Sequence, residues 1–322
     1  MKELKRYAII FILLGLIVFF SLLSPHFFTQ QNLTNIFVQQ SYVIIAAVGL
    51  SFVMISGGMD LSIGYQISVV GVTTAALVKW AGLPFPAALA LGLTIGTLLG
   101  TLNGLLSVTL KVHTLIVTLG TMTVFQGLSY IISKQSVILN LPPAFKFFGQ
   151  GYIFGFLPFS VVLMIITVTL AGFILNYTRF GRQVYGIGSN EETARLSGVN
   201  VILIRMIVFS ICGFFVALAS IVLFGRSGSA SSSTGPGTEF SAMTSAILGG
   251  VSFVGGEGKM WGLVTGVLIL GVLSNGMQLI GLNTYVQYIV KGFVLLLAVG
   301  FDLLQKKSLA KATIRTPEKK AA

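Results

Sequence analysis

GGMDLSIG, residues 57–64, lies between two long apolar runs and holds Asp60, one of eight acidic residues in the chain. A glycine pair is a helix terminator, because glycine takes the positive φ that closes a last turn. Behind the pair stand Asp60 and Ser62, residue types that begin helices. The stretch therefore reads as a built break, Gly57, Gly58, Asp60, Ser62 and Gly64 together, between two apolar helices. Asp60 itself admits two physical readings. A carboxylate among lipid-length apolar runs is costly and is by default a functional group that meets substrate or protons. As a local cap, it accepts hydrogen bonds from the first free N–H groups of the next helix and meets that helix's positive end. Ser62 adds a bond in the same turn.

Apolar runs like these two recur along all 322 residues, of which 55% are hydrophobic, 9% are charged and 38 are glycine. The mean hydropathy is +0.95. Soluble globular chains carry about 25% charged residues, so most of this surface faces something other than water. Runs of roughly 18 or more apolar residues match the thickness of a bilayer core. The expected class is an all-α polytopic membrane protein. Its net charge of +12 is not a nucleic-acid signature, since Lys and Arg gather at the ends of apolar runs and in the C-terminal tail. The single cysteine, Cys212, and the two histidines, His26 and His113, allow no intrachain disulfide and point to no metal site. The N-terminal apolar run, Tyr7 to Leu23, exceeds the roughly 7–15 residues of a signal-peptide core and reads as a first membrane helix.

About ten membrane segments can be laid out, at 7–24, 36–56, 65–80, 85–109, 114–132, 153–175, 206–225, 242–254, 260–280 and 285–304. The third and eighth are short and glycine-interrupted, so each is a candidate re-entrant segment. With the N-terminus inside, the cytoplasmic segments hold 15 Lys and Arg against 4 outside, with Lys291 left in the last span. This asymmetry puts both termini in the cytoplasm. The domain division is a transmembrane domain, 1–304, with a long loop at 176–205, and a basic tail, 305–322. Gly92, Gly96, Gly100 and Gly104 form a stripe of four-residue period in the fourth segment, and Gly258, Gly262 and Gly266 form another at the ninth. Each stripe alone is a packing device. Their separation by five segments fits a five-plus-five inverted repeat, an arrangement common in transporters.

Several fragments imitate catalytic motifs. Gly225-Arg226-Ser227-Gly228 has the form of an intramembrane serine protease, but no histidine follows Ser227 to act as base. The run Gly255 to Met260 lacks the first glycine and the Ser or Thr of a phosphate loop, with Phe253 and Met260 in those places. Gly186-Ile187-Gly188 has Glu191 where a dinucleotide fingerprint needs its third glycine. More informative is Arg179 to Arg205, with two glycine breaks, an amphipathic stretch near Glu191 to Leu196, and charges of both signs. It reads either as a docking helix for a cytoplasmic partner or as a solvated linker. In a self-sufficient, ion-coupled secondary transporter of a small polar solute, Asp60 and Lys291 would form the relay.

Taken in order, the motifs resemble the permease subunits of bacterial ATP-binding-cassette (ABC) importers for ribose and related simple sugars. Ser24-Pro25, Phe27-Phe28 and Asn32-Leu33 are similar to that family's first external loop, and Gly58 to Gly64 to its GIDLSVG signature. Asn103-Gly104, Thr118 to Thr121, Gly181-Arg182, Tyr185 to Gly188, Asn190 and Arg195 to Asn200 follow. Leu248 to Gly250, Ser252, Gly255-Gly256, Gly258, Gly262, Asn275-Gly276 and Lys291-Gly292 complete the series. The resemblance implies a multi-pass permease of the bacterial cytoplasmic (inner) membrane, without ATPase activity or a cofactor of its own. Separate cytoplasmic subunits would bind ATP and Mg. A second permease subunit, identical or not, and an extracytoplasmic sugar-binding protein would complete the assembly. Alternating access would carry the solute across. It also implies a coupling helix at Glu191, Glu192, Arg195, Leu196 and Gly198, whose Glu-Glu-Thr-Ala start departs from the common Glu-Ala-Ala. The candidates for a mildly polar pathway are Gln39, Gln40, Asn103, Thr118, Asn275 and Gln278, each of which could equally be an interhelical hydrogen bond. Arg226 and Glu239 are candidates for docking the binding protein, against the alternative of a solvated charge pair.

Overall fold

The computed structural model describes residues 2–314, with side chains from 9 to 304. Its helices are α1 (Lys2–Leu23), α2 (Gln30–Ile55), α3 (Ile63–Lys79), α4 (Phe85–Leu110), α5 (Thr114–Ser133), α6 (Pro143–Gln150), α7 (Phe159–Tyr177), α8 (Arg179–Ser189), α9 (Glu191–Leu196), α10 (Val201–Ser227), α11 (Thr238–Leu248), α12 (Met260–Leu279) and α13 (Thr284–Ile314). Two strands, β1 (Tyr152–Ile153) and β2 (Leu157–Pro158), pair antiparallel. Of the basic tail, residues 315–322 lie outside the described residues.

Among the described residues, seven helices are long and apolar enough to cross a bilayer: α2, α4, α5, α7, α10, α12 and the Thr284–Leu304 part of α13. α3 has 17 residues and α11 has 11. At 1.5 Å per residue, α11 covers about 16 Å, roughly half a hydrocarbon core. The helices of the 36–56 and 206–225 segments begin earlier, at Gln30 and Val201, and that of 285–304 runs on to Ile314, while two segments fall short of the hydropathy reading. The segment expected at 153–175 begins only at Phe159, because Phe154 and Gly155 take φ of 53° and 78° and turn the chain into the β1–β2 hairpin. The segment expected at 242–254 is α11, which stops at Leu248. Gly250 there has φ 81°, and residues 249–259 run on without helix. Hydropathy sees apolar composition and is blind to these turns.

α2 and α10 form the centre, each with 72% of its apolar window buried, against 22% for α4, 28% for α5 and α7, and 0% for the α13 span. The outer helices therefore turn most of their surface outward, and the central pair is wrapped by protein. α4 reaches α10 through its glycines. A Cβ at Gly96 would stand 2.5 Å from the Cβ of Ala217, and one at Gly104 would stand 3.1 Å from the Cα of Met206. The Thr101 and Ser210 hydroxyls share a hydrogen bond of 2.7 Å across the same seam. Gly262 and Gly266 of α12 likewise leave no room for a Cβ beside Gly249 and Ser245 at the end of α11. The contacts run in corresponding pairs. α4 packs on α10 and α12 on α2; α3 packs on α5 and α11 on α13; α3 meets α10 and α11 meets α2.

At Gly100 an added Cβ would come within 2.9 Å of the Gly213 backbone, which cannot rotate aside. Gly100→Leu should therefore cost at least the 1–3 kcal/mol typical of overpacking, read as a lowered melting temperature in detergent. Gly300, with nothing within 4 Å of an added Cβ, should accept alanine without loss.

Candidate functional site at the helix break

α2 ends in a paired turn. The Gly57 N–H donates to the Met54 carbonyl at 2.9 Å and the Gly58 N–H to the Val53 carbonyl at 2.9 Å. This turn needs a residue at positive φ, and Gly57 has φ 82°, which costs glycine little. Beyond it the backbone is non-helical yet buried, so its amides need partners inside the protein. α5 supplies two of them. The Met59 N–H donates to Thr114 Oγ1 at 2.8 Å, and the Leu61 N–H donates to Thr118 Oγ1 at 3.2 Å. Four residues apart, the two threonines share one face of α5.

Asp60 is 1% exposed. Its Oδ1 accepts from the Ser62 amide at 2.9 Å and the Ser62 hydroxyl at 2.6 Å. Its Oδ2 accepts from Gln66 Nε2 at 3.2 Å and, from α4, Asn103 Nδ2 at 3.3 Å. Ser62 Oγ in turn accepts from Gln66 at 2.7 Å and Asn103 at 2.8 Å. Among the described residues no Lys or Arg pairs with this carboxylate. Both amides turn their NH₂ groups inward and leave Gln66 Oε1 and Asn103 Oδ1 buried without a partner, at about 1–3 kcal/mol each. The capping expectation changes in detail. Ser62 is the N-cap residue, it makes no side-chain cap bond, and Asp60 binds its amide rather than the amides of the first turn of α3. Asp60 is a strut between the break, α3 and α4.

A second break faces the first. α10 closes at Gly228, with φ 66°, and α11 starts at Thr238. Both carboxylate oxygens of Glu239 accept from the single N–H of Gly237 at 3.0 Å. Gly64, in the first turn of α3, lies against that carboxylate with no room for a Cβ. The Gly235 N–H donates to Ser68 Oγ of α3 at 3.2 Å. The starts of α3 and α11 thus meet, and Gly64 earns its place in the motif by letting Glu239 approach.

The far side of the first break is a junction of bare backbones. Gly188 of α8 packs on the Ile55 carbonyl without room for a Cβ, and a Cβ at Gly255 would stand 2.7 Å from the Cα of Gly57. The Gly256 N–H donates to the Ile55 carbonyl at 2.9 Å, and the Tyr185 hydroxyl donates to the Gly258 carbonyl at 2.7 Å. From α8 the chain turns at Asn190, whose Oδ1 accepts the Thr193 amide at 2.9 Å and starts α9. Glu191 pairs with Arg205, tying α9 to α10. Glu192 and Arg195 are exposed, and Leu196 is 82% exposed. Gly198, at φ 82°, ends the short helix.

The other expected residues scatter. Asn103 and Thr118 are fully buried in the break. Asn275 exchanges two 2.9 Å hydrogen bonds with Asn32. Gln39 is partly exposed, Gln40 covers Gly271, and Gln278 is exposed. Arg226 is half-buried beneath α6, where its carbonyl accepts from Gln150 Nε2 at 2.8 Å. Glu239 is only 2% exposed and so offers no surface to a docking protein. Its place two residues past the Gly235-Pro236-Gly237 turn is a helix start, not a loop. Thr114 and Gln66 are not among the expected residues, and Gly188 stands there only as part of the Tyr185 to Gly188 motif. The Thr114–Thr118 spacing is the available signal for the first; nothing in the chain points to Gln66.

Interrupted helices that meet inside a helical membrane bundle are the construction of transport proteins, and this chain is a multi-pass membrane protein of that class. The family model described as "Branched-chain amino acid transport system / permease component" matches residues 32–299, and the chain belongs to that family. It is 38% identical over 297 residues to the ribose import permease protein RbsC of Escherichia coli K12, covering 90% of this chain and 91% of that one. The ribose import permease protein RbsC of Bacillus subtilis is 36% identical over 310 residues, 96% of this chain and 94% of its own. The L-arabinose transport system permease protein AraH of Escherichia coli K12 is 37% identical over 314 residues, 96% and 93% respectively. No solved structure matches significantly.

Asp60→Ala would strand donors on Ser62, Gln66 and Asn103. A loss of roughly 1–3 kcal/mol or more should appear as a lower melting temperature of the purified protein. Asp60→Asn keeps one acceptor oxygen and should fall clearly less; equal losses would deny the carboxylate its bracing role.

Proposed function

We propose that this chain is the membrane-spanning subunit of an ABC importer for a monosaccharide of the ribose type. The observation that carries the reading is the match, over at least 90% of the chain, to permeases whose names specify ribose and arabinose. In this reading an extracytoplasmic binding protein delivers the sugar. Separate ATPase subunits bind ATP and magnesium, and the chain has no ATPase site. It sits in the bacterial cytoplasmic membrane with both termini inside, as the excess of Lys and Arg in those segments favours.

α9 is the coupling helix. Its support is its form: a capped, one-and-a-half-turn helix, pinned at Glu191 by Arg205, with Leu196 held out. The glycine junction gives α8 a direct seat on the break between α2 and α3. Movement at α9 would therefore reach Asp60 without passing through flexible side chains.

The paired contacts support a five-plus-five inverted repeat in four of its five segments, matching α2–α5 with α10–α13. Each short helix also has an acid, an apolar residue and a serine near its start: Asp60-Leu61-Ser62 just before α3 and Glu239-Phe240-Ser241 in the first turn of α11. A second permease subunit covers α5. Gly120 and Gly127 on its exposed side have nothing within 4 Å of an added Cβ, an unfilled small-residue face. The pathway runs along that side. It is lined by the half-exposed Tyr130 and by Tyr65, which lies within electrostatic reach of Tyr130 and Glu239. Asn103 and Thr118 belong to the brace behind it.

Reconstituted with its ATPase subunits and binding protein, the chain should take up labelled ribose or arabinose only when ATP is present. Uptake driven by a proton gradient without the ATPase would overturn the proposal. Replacing Glu191 to Arg195 with a Gly/Ser linker should abolish ATPase co-purification, and undiminished co-purification would remove α9 from the coupling role.

A further inference from the structure

α8 is two-faced. Gly181, Val184 and Ile187 are buried toward the spans, while Arg179 and Arg182 are exposed. α9 folds back beside it, and between the two lies an open cleft of about 530 Å³ lined by residues that include Arg179, Arg182, Gln183, Asn190, Thr193 and Ser197. No acidic residue lines it. Of the two acids of α9, Glu191 is already bound to Arg205 and Glu192 is exposed outside the lining. Among the described residues, neither Arg179 nor Arg182 takes part in an ion pair.

Two permanent positive charges and several uncharged hydrogen-bonding side chains around one hollow make a receptor for an oxyanion, and a guanidinium holds a carboxylate through two parallel bonds. A lipid headgroup and an acidic side chain both have the required chemistry. The direction of the cleft separates them. The apolar face of α8 is turned to the spans, so the arginine face looks away from the hydrocarbon. α9, with Leu196 at its tip, forms the outer wall. A protein that covers Leu196 covers the cleft as well.

We propose that the α8–α9 cleft receives an acidic side chain of the ATPase subunit. Docking then has two parts: an apolar contact at Leu196 and a carboxylate held between Arg179 and Arg182. The proposal rests on the coupling reading of α9. Arg179 and Arg182 pack against no core, so their replacement should leave the melting temperature of the permease unchanged.

The test measures the affinity of purified ATPase subunits for the full-length permease in nanodiscs, across a range of salt. The double variant Arg179→Gln/Arg182→Gln should bind about 10–100-fold more weakly. Its affinity should also lose much of its salt dependence, because screening acts on the removed ion pairs. Arg179→Lys/Arg182→Lys should restore part of the affinity. Unchanged affinity and salt slope in the Gln variant would overturn the proposal. So would a defect that follows the phosphatidylglycerol content of the nanodisc, which would assign the cleft to lipid. Leu196→Asp separates the two layers: loss of binding there with none in the arginine variant sinks the cleft and leaves α9 as the coupling helix. Loss in neither sinks both.

Discussion

The interior of a bilayer holds no water to receive an unpaired backbone amide, so a helix can stop there only where protein supplies the missing partners. The break between α2 and α3 lives under that rule. Its carbonyl side is closed by the turn at Gly57. Its amide side is carried by Thr114 and Thr118 from α5, and its side-chain acid is held by Ser62, Gln66 and Asn103. The requirement spreads outward. α5 must lie on α3 to present its threonines, and α4 must bring Asn103 to the same place. Its glycines let α4 do so while packed on α10.

Two carboxylates sit at the two helix starts, and they are provisioned differently. Asp60 is braced by hydroxyl, amide and side-chain donors from three segments, whereas Glu239 is held by backbone amides, that of Gly237 and its own. The first is built as architecture. The second has main-chain donors alone and lies within electrostatic reach of Tyr65, on the side proposed to face the pathway. In a transporter driven from outside the membrane, neither acid has to shuttle a proton.

Much of this was readable before any coordinates. Apolar length located the spans, the glycine pair located the break, and the mixed-charge loop located α8 and α9. The failures share a cause: a sequence displays polarity but not the partner that consumes it. Asn103 and Thr118 read equally as pathway groups or as interhelical hydrogen bonds, and the structure shows the bonds, made to a break roughly 40–60 residues away in the chain, at Asp60 and Leu61. Glu239 reads from the sequence as an external charge, for docking or in a solvated pair, yet it is buried at the start of α11. Residues 153–158 were read as membrane helix because Phe, Ile and Leu are equally apolar in a hairpin. The deciding information there was the backbone turn at Phe154 and Gly155.

The junction of Gly57, Gly188 and Gly255 carries a consequence for how this protein can change. Most tight contacts can be relieved by trimming the neighbouring side chain. Here every neighbour is main chain, so a methyl group added at Gly188 meets the Ile55 carbonyl and no second substitution can make space by becoming smaller. Relief has to come from shifting a whole helix, through altered loop lengths or altered seams elsewhere. Drift at these three positions is thus closed to the ordinary pairwise route, and α8 and the break are constrained to change together or not at all.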